Sequence, residues 1–161
     1  MDIFVYAQQF EKDGEAFYLK EAAAVKDKNL ADILTFLAGE ERKHYAYIQE
    51  FKDQTDEHPA SIFLSDIANV FTRIRDGHLR FTEPKDTMTD VLSKAMKIEE
   101  DSITYYRDTE KKMDDPRAKN LLALLAKQEQ VHYSLLSSII EFYETPHLWM
   151  EQAEFNNLKD Y

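Results

Sequence analysis

Cysteine is absent from all 161 residues. Disulfides, thiolate metal sites and cysteine nucleophiles are therefore excluded, and the composition fits a cytoplasmic protein. Glycine and proline are scarce, with three and four residues. So little turn material favours a few long helices over many short strands. No apolar run approaches the roughly 20 residues needed to cross a bilayer. The opening MDIFVYAQQF lacks the basic and apolar regions of a secretory signal. Positive charge is the minority, 20 Lys and Arg against 31 Asp and Glu, for a net −11. That balance argues against nucleic acid and against an anionic membrane surface as partners. What remains, 43% hydrophobic and 32% charged residues, is the composition of a soluble globular chain. Its length suits one domain spanning 1–161.

The chain repeats itself. Residues 36–45 read FLAGEERKHY and residues 124–133 read LLAKQEQVHY. A shift of 88 positions places Glu41 on Glu129, His44 on His132 and Tyr45 on Tyr133. The same shift places Glu11 on Glu99, Asp13 on Asp101 and Tyr18 on Tyr106. One constant offset thus joins two segments far apart in the chain.

Apolar periodicity predicts a helix over 2–26, with Ala7, Glu11, Gly14, Tyr18 and Val25 on one face beside Phe10 and Phe17. A glycine inside a helix costs about 1 kcal/mol relative to alanine, so Gly14 should mark a close approach to the backbone. A second helix over 29–54 carries Leu34, Leu37, Glu41, His44, Ile48 and Phe51 inward. Residues 55–86 have no counterpart in the repeat and read as a crossover, with a short helix at 61–75. The third main helix, 87–112, points Leu92, Ala95, Glu99, Ser102 and Tyr106 inward. The fourth, capped by Asp114 or Asp115 ahead of Pro116, runs to about 144 with Leu122, Leu125, Glu129, His132, Leu136 and Ile139 inward. A tail helix near 147–158 carries Trp149 and Phe155. Two helical hairpins, 2–54 and 87–144, joined by a long connector, predict an all-α antiparallel four-helix bundle with pseudo-two-fold symmetry.

Glu41 and His44 occupy positions where a core-facing helix should have leucine or isoleucine. Residues i and i+3 share a helix face, so each Glu-x-x-His offers a carboxylate and an imidazole to one point. Glu11 and Glu99 complete the set from the other two helices. Four carboxylates and two imidazoles suit iron or manganese better than structural zinc. Four uncompensated glutamates in a core would repel and protonate. Two divalent ions supply the balancing charge. Tyr18 and Tyr106, seven residues beyond Glu11 and Glu99, are positioned to hydrogen-bond ligand carboxylates across the bundle or to carry radical or proton traffic. Asp13 and Asp101 fall off the ligand face, and Glu40 and Glu100 should point about 100° away from it. Glu15 is a candidate extra carboxylate. His58, His78 and His147 have no partners at ligand spacing.

FEKDGEAFY (10–18), EERKHY (40–45), IEEDSITYY (98–106) and EQVHY (129–133), with the tail WMEQAEFNNL, resemble the rubrerythrin-like branch of the ferritin-like superfamily. The resemblance implies a ferritin-like bundle in which Glu11, Glu41, His44, Glu99, Glu129 and His132 bind two iron ions, with manganese or a mixed pair as variants. It implies reaction with peroxide or dioxygen, and a homodimer, in some relatives with exchanged helices. Two departures stand out. Rubrerythrins proper carry a rubredoxin domain with four cysteines, so here the reductant would be external, such as a rubredoxin-like protein. They also carry a further ligand glutamate three residues after the helix-three glutamate, where this chain has Ser102. Its counterpart at the offset is Gly14. The alternative expectation is iron handling of the ferroxidase type, without catalytic turnover.

Overall fold

The computed structural model describes residues 2–53, 69, 70, 72, 73, 76 and 80–145. Helix α1 (Ile3–Ala24) starts where the Asp2 carboxylate accepts the Phe4 amide at 2.9 Å. Helix α2 (Lys28–Lys52) starts at Asp27, which accepts the Leu30 amide at 2.9 Å. Helix α3 (Lys85–Glu110) follows Pro84, which has no side chain to cap with. Helix α4 (Pro116–Glu144) follows Asp115, which accepts the Arg117 amide at 2.9 Å and puts Pro116 in the first turn. Proline is tolerated there because its missing N–H has no helical partner to lose.

The expected ends are close but not identical. The polar turn at 26–29 already contains the α2 cap, so that helix begins one residue early. Helix α3 begins at Lys85 rather than 87 because proline pre-sets helical entry. Val25, expected on the inner face of α1, is instead its half-buried C-cap, and Phe51 is half-buried. Of the expected helix at 61–75 only residues 69, 70, 72 and 73 are described, and they are helical. The tail helix near 147–158, and His58, His78 and His147, lie outside the described residues.

Side-chain pairs fix the topology. Gln8 meets Gln49 and Glu15 meets Arg42, so α1 and α2 are antiparallel. Glu11 meets Tyr106 and Tyr18 meets Glu99, so α1 and α3 are antiparallel. His44 meets Gln128 and Glu41 approaches His132, so α2 and α4 are antiparallel. Helices α2 and α3 are therefore parallel, as a connector that retraces the bundle requires. The protein is an all-α four-helix bundle of two hairpins, with no strand among the described residues. None of the described helices is long and apolar enough to cross a membrane.

Two separate apolar layers fill the interior. One contains Tyr18, Leu34, Leu37, Ala95 and Leu135. The other contains Ala7, Ile48, Tyr106, Leu122 and Leu125. On every helix Glu11, Glu41, His44, Glu99, Glu129 and His132 fall between the two. A polar layer thus crosses the middle of the bundle, shielded above and below.

A second polar cluster anchors the crossover. Lys52 closes α2 beside Gln8, at the opposite end from the α1–α2 turn, about 37 Å away along the helix. By Thr82 the chain has returned to that turn. The Asp27 carboxylate accepts the Thr82 amide and, at 3.0 Å, its hydroxyl. Glu83 accepts the Lys26 and Asp27 amides at 2.9 and 2.8 Å, and its own carbonyl accepts the Tyr143 hydroxyl at 2.8 Å. Burial alone would raise the Asp27 pKa, but the bonds from Thr82 and Leu30 outweigh it and hold the carboxyl below its usual range. This stabilisation is present above the unfolded value of 3.8 and is lost as pH falls through the folded one. Replacing Asp27 with alanine removes a cap and strands buried donors, and is expected to cost about 2–3 kcal/mol. Urea unfolding of the metal-free variant measures it. A change within about 0.5 kcal/mol, the ordinary surface effect, would show the latch to be incidental.

Candidate metal centre

Helical geometry places the six residues at one depth, and all six are buried. The arrangement divides into two half-sites. In the first, His44 Nδ1 lies 3.3 Å from Glu11 Oε2, 3.7 Å from Glu41 Oε2 and 3.1 Å from Glu129 Oε1. In the second, His132 Nδ1 lies 3.5 Å from Glu99 Oε2, 3.8 Å from Glu41 Oε1 and 3.1 Å from Glu129 Oε2. Glu41 and Glu129 therefore turn one oxygen to each histidine and span both half-sites, whereas Glu11 and Glu99 each serve one. The imidazoles stack with centroids 5.4 Å apart and planes 14° from parallel.

Two groups, Glu11–Glu41–His44–Glu129 and Glu41–Glu99–Glu129–His132, each bring four ligand atoms within 4.8 Å of one another. Several of these atoms lack any hydrogen-bond partner: Glu41 Oε1, Glu99 Oε2, both Glu129 oxygens and His132 Nδ1. Buried polar atoms left unpaired are costly. A pair of cations would satisfy them with oxygen and nitrogen donors of the type iron and manganese accept.

The electrostatics carry the same message. Burial, reinforced by the negative charges of Glu129 and Glu41, pushes the Glu11 pKa well up. Burial with Glu129 and Glu99 raises Glu41 to about 7, and burial with Glu129 raises Glu99 to about 8. Burial opposes ionisation of Glu129 as well, but the two histidines more than offset it and hold that carboxyl below its usual range. Burial disfavours charge on His44 and His132 too, yet Glu129 and Glu99, respectively, lead the carboxylates that raise both. Without metal, protons do the neutralising.

Tyr106 donates its hydroxyl to Glu11 Oε1, and Tyr18 donates to Glu99 Oε1. Each bond crosses between hairpins and occupies the oxygen turned away from the histidine. The other oxygen is left facing the half-site. Gly14 has the close approach its position predicts: a Cβ there would lie 3.3 Å from Glu41 Cδ and 3.4 Å from Cγ. Ser102, at the matching position of α3, is buried and supplies no carboxylate.

Some residues differ from expectation. Glu15 turns away from the cluster to Arg42, with Arg42 Nε at 2.8 Å, because a cation on the neighbouring helix lies nearer than the buried layer. Glu40 points off the site, as its position predicts, and pairs with Lys43 at 2.6 Å, but it is buried, only 1% exposed. Gln128, which periodicity did not single out, is buried and accepts a hydrogen bond from His44 Nε2 at 2.6 Å. That bond fixes the ring so that Nδ1 faces the carboxylates. The repeat itself held the signal, since Glu40 and Gln128 match at the same offset of 88 and are both long polar residues. Asp13, Glu100 and Asp101 are exposed.

A layer of four carboxylates and two imidazoles, one Glu from each of two helices and Glu-x-x-His from each of the others, defines a carboxylate-rich candidate metal site in a four-helix bundle. A family model described as Rubrerythrin matches residues 2–140, and the chain belongs to that family. Membership implies metal binding. No curated protein and no solved structure matches the chain.

Proposed function

We propose that the buried layer binds two iron ions, through Glu11, Glu41, His44, Glu99, Glu129 and His132. On this reading the protein is an oxidoreductase that reacts with peroxide or dioxygen and is re-reduced by an external donor such as a rubredoxin-like protein. The observation that carries it is the set of unpaired, inward-facing oxygen and nitrogen atoms arranged about two histidines. Bound there, iron supplies one-electron redox steps and Lewis-acid polarisation of an O–O bond. The chain's own residues do the rest. Glu41 and Glu129 span the half-sites, Tyr106 and Tyr18 orient Glu11 and Glu99, and Gln128 sets the His44 ring. The apolar layers above and below exclude water. A cytoplasmic homodimer belongs to the same reading.

Ser102 favours a second reading, iron handling of the ferroxidase type, because it supplies no extra carboxylate beside the half-sites. Stopped-flow mixing of the iron(II)-loaded protein with peroxide and, separately, dioxygen distinguishes the two. Oxidation by either, repeated over many cycles with a supplied donor, is expected of the enzyme. One stoichiometric oxidation that no donor reverses would establish iron handling instead.

A further inference from the structure

The side of the bundle that holds Tyr106 differs from the side that holds Tyr18. Tyr106 touches Glu11, and its ring lies 5.6 Å from that of its neighbour Tyr105. The Tyr105 ring lies 5.1 Å from that of Tyr6, which is 41% exposed at the start of α1. Phe10 stacks on Tyr105 at 5.2 Å and meets Tyr6 edge-on at 5.3 Å, which holds both rings in place. Three oxidisable rings in contact thus run from a ligand carboxylate to solvent. The 88-residue offset supplies an internal comparison. Tyr18 is the counterpart of Tyr106, but the counterpart of Tyr105 is Phe17 and that of Tyr6 is Lys94. Phe17 packs edge-on against Tyr18 at 5.5 Å, in the place of the second tyrosine. Phenylalanine has no phenol to oxidise, so among the described residues the Tyr18 side ends after one ring.

We propose that Tyr106, Tyr105 and Tyr6 form a one-electron path between the metal centre and the bundle surface, open on this side and closed at Phe17 on the other. The path rests on the redox reading above, and the oxidising equivalent is the one that peroxide delivers to the centre. In net terms peroxide takes up two electrons and two protons and leaves as water, one electron coming from the centre and one from Tyr6, whose phenolic proton goes to solvent. Tyr105 and Tyr106 are oxidised and re-reduced in passing and end unchanged. A one-electron donor arriving at the surface then refills Tyr6, and water returns its proton. The exposed ring is therefore where single electrons enter.

The test has two arms. In the first, the iron(II)-loaded protein is mixed with peroxide and a nitroso spin trap, and trapped tyrosines are mapped by peptide mass spectrometry. Wild type is expected to carry the adduct on Tyr6; in Tyr105→Phe that adduct is lost while peroxide is consumed at the wild-type rate. In the second arm, a photogenerated ruthenium(III) oxidant in solution attacks the metal-free protein. The radical is expected to reach Tyr106 in wild type and to fail to do so in Tyr105→Phe. A Tyr6 adduct undiminished in Tyr105→Phe, or equal trapping on Tyr18, would overturn the path. So would arrival at Tyr106 regardless of the substitution. If neither form consumes peroxide but the photochemical arm depends on Tyr105, the redox function fails and the path stands.

Discussion

Replacing Glu129 by alanine is expected to empty both half-sites together. Its two oxygens lie 3.1 Å from His44 and from His132, so no other single truncation removes a donor so close to each imidazole. In metal-replete buffer the loss should appear twice. Bound metal falls to the background level, and stability drops by about 3–5 kcal/mol, from a buried charge network losing its central anion and from lost metal linkage. Glu129→Gln separates the two contributions, because it keeps the packing volume but not the charge. It should also lose metal while recovering part of the stability. Metal analysis and thermal unfolding of the two variants check this, and wild-type metal content in Glu129→Ala would place the centre elsewhere.

The second large effect is a divergence between metal-free and loaded protein as pH rises. In the metal-free protein Glu41 and Glu99 have folded pKa values of about 7 and about 8, against 4.5 ordinarily, and Glu11 is also raised. A raised group contributes stability that is fully present below its unfolded pKa and is lost as pH climbs through the folded one. His44 and His132 are raised above 6.5 and so act in the same direction. Glu129 is lowered, and its contribution disappears only in acid, outside this window. The metal-free protein should therefore lose stability between about pH 5 and pH 8. Metal competes with those same protons, so affinity rises over the same interval and loading releases protons. The expected outcome is a gap in melting temperature between chelated and loaded protein that widens steadily from mildly acidic to mildly basic pH. Unfolding with and without chelator measures it, and a gap independent of pH would mean the carboxylates are not protonated in the metal-free core.

The repeat made much of this arrangement legible. Glu11, Glu41, His44, Glu99, Glu129 and His132 sit in apolar stripes at one offset, so periodicity alone aims them at one layer. Tyr18 and Tyr106 follow because two turns of helix carry their rings over to the facing hairpin. Glu40 and Gln128 were not legible in the same way. Each precedes a layer glutamate and falls off the central stripe, but a helix in a four-helix bundle touches two neighbours, so its buried arc is wider than that stripe. The latch was hidden for a different reason. Asp27 and Glu83 stand 56 residues apart and meet only because the crossover returns to the α1–α2 turn, a long-range pairing with no periodic signature. The tyrosine path is also tertiary: Tyr6 and Tyr105 lie on different hairpins, and only the differences between Tyr105 and Phe17 and between Tyr6 and Lys94 show in the repeat.

Two metal ions are expected between His44 and His132. An anomalous difference map collected at the iron edge, from crystals of protein purified without chelator out of iron-supplemented cells, locates them. Two peaks are expected, one beside each histidine, with Glu41 and Glu129 reaching both. A map with no peak in this layer, or a single peak outside it, would show that the buried carboxylates and imidazoles do not hold a metal pair.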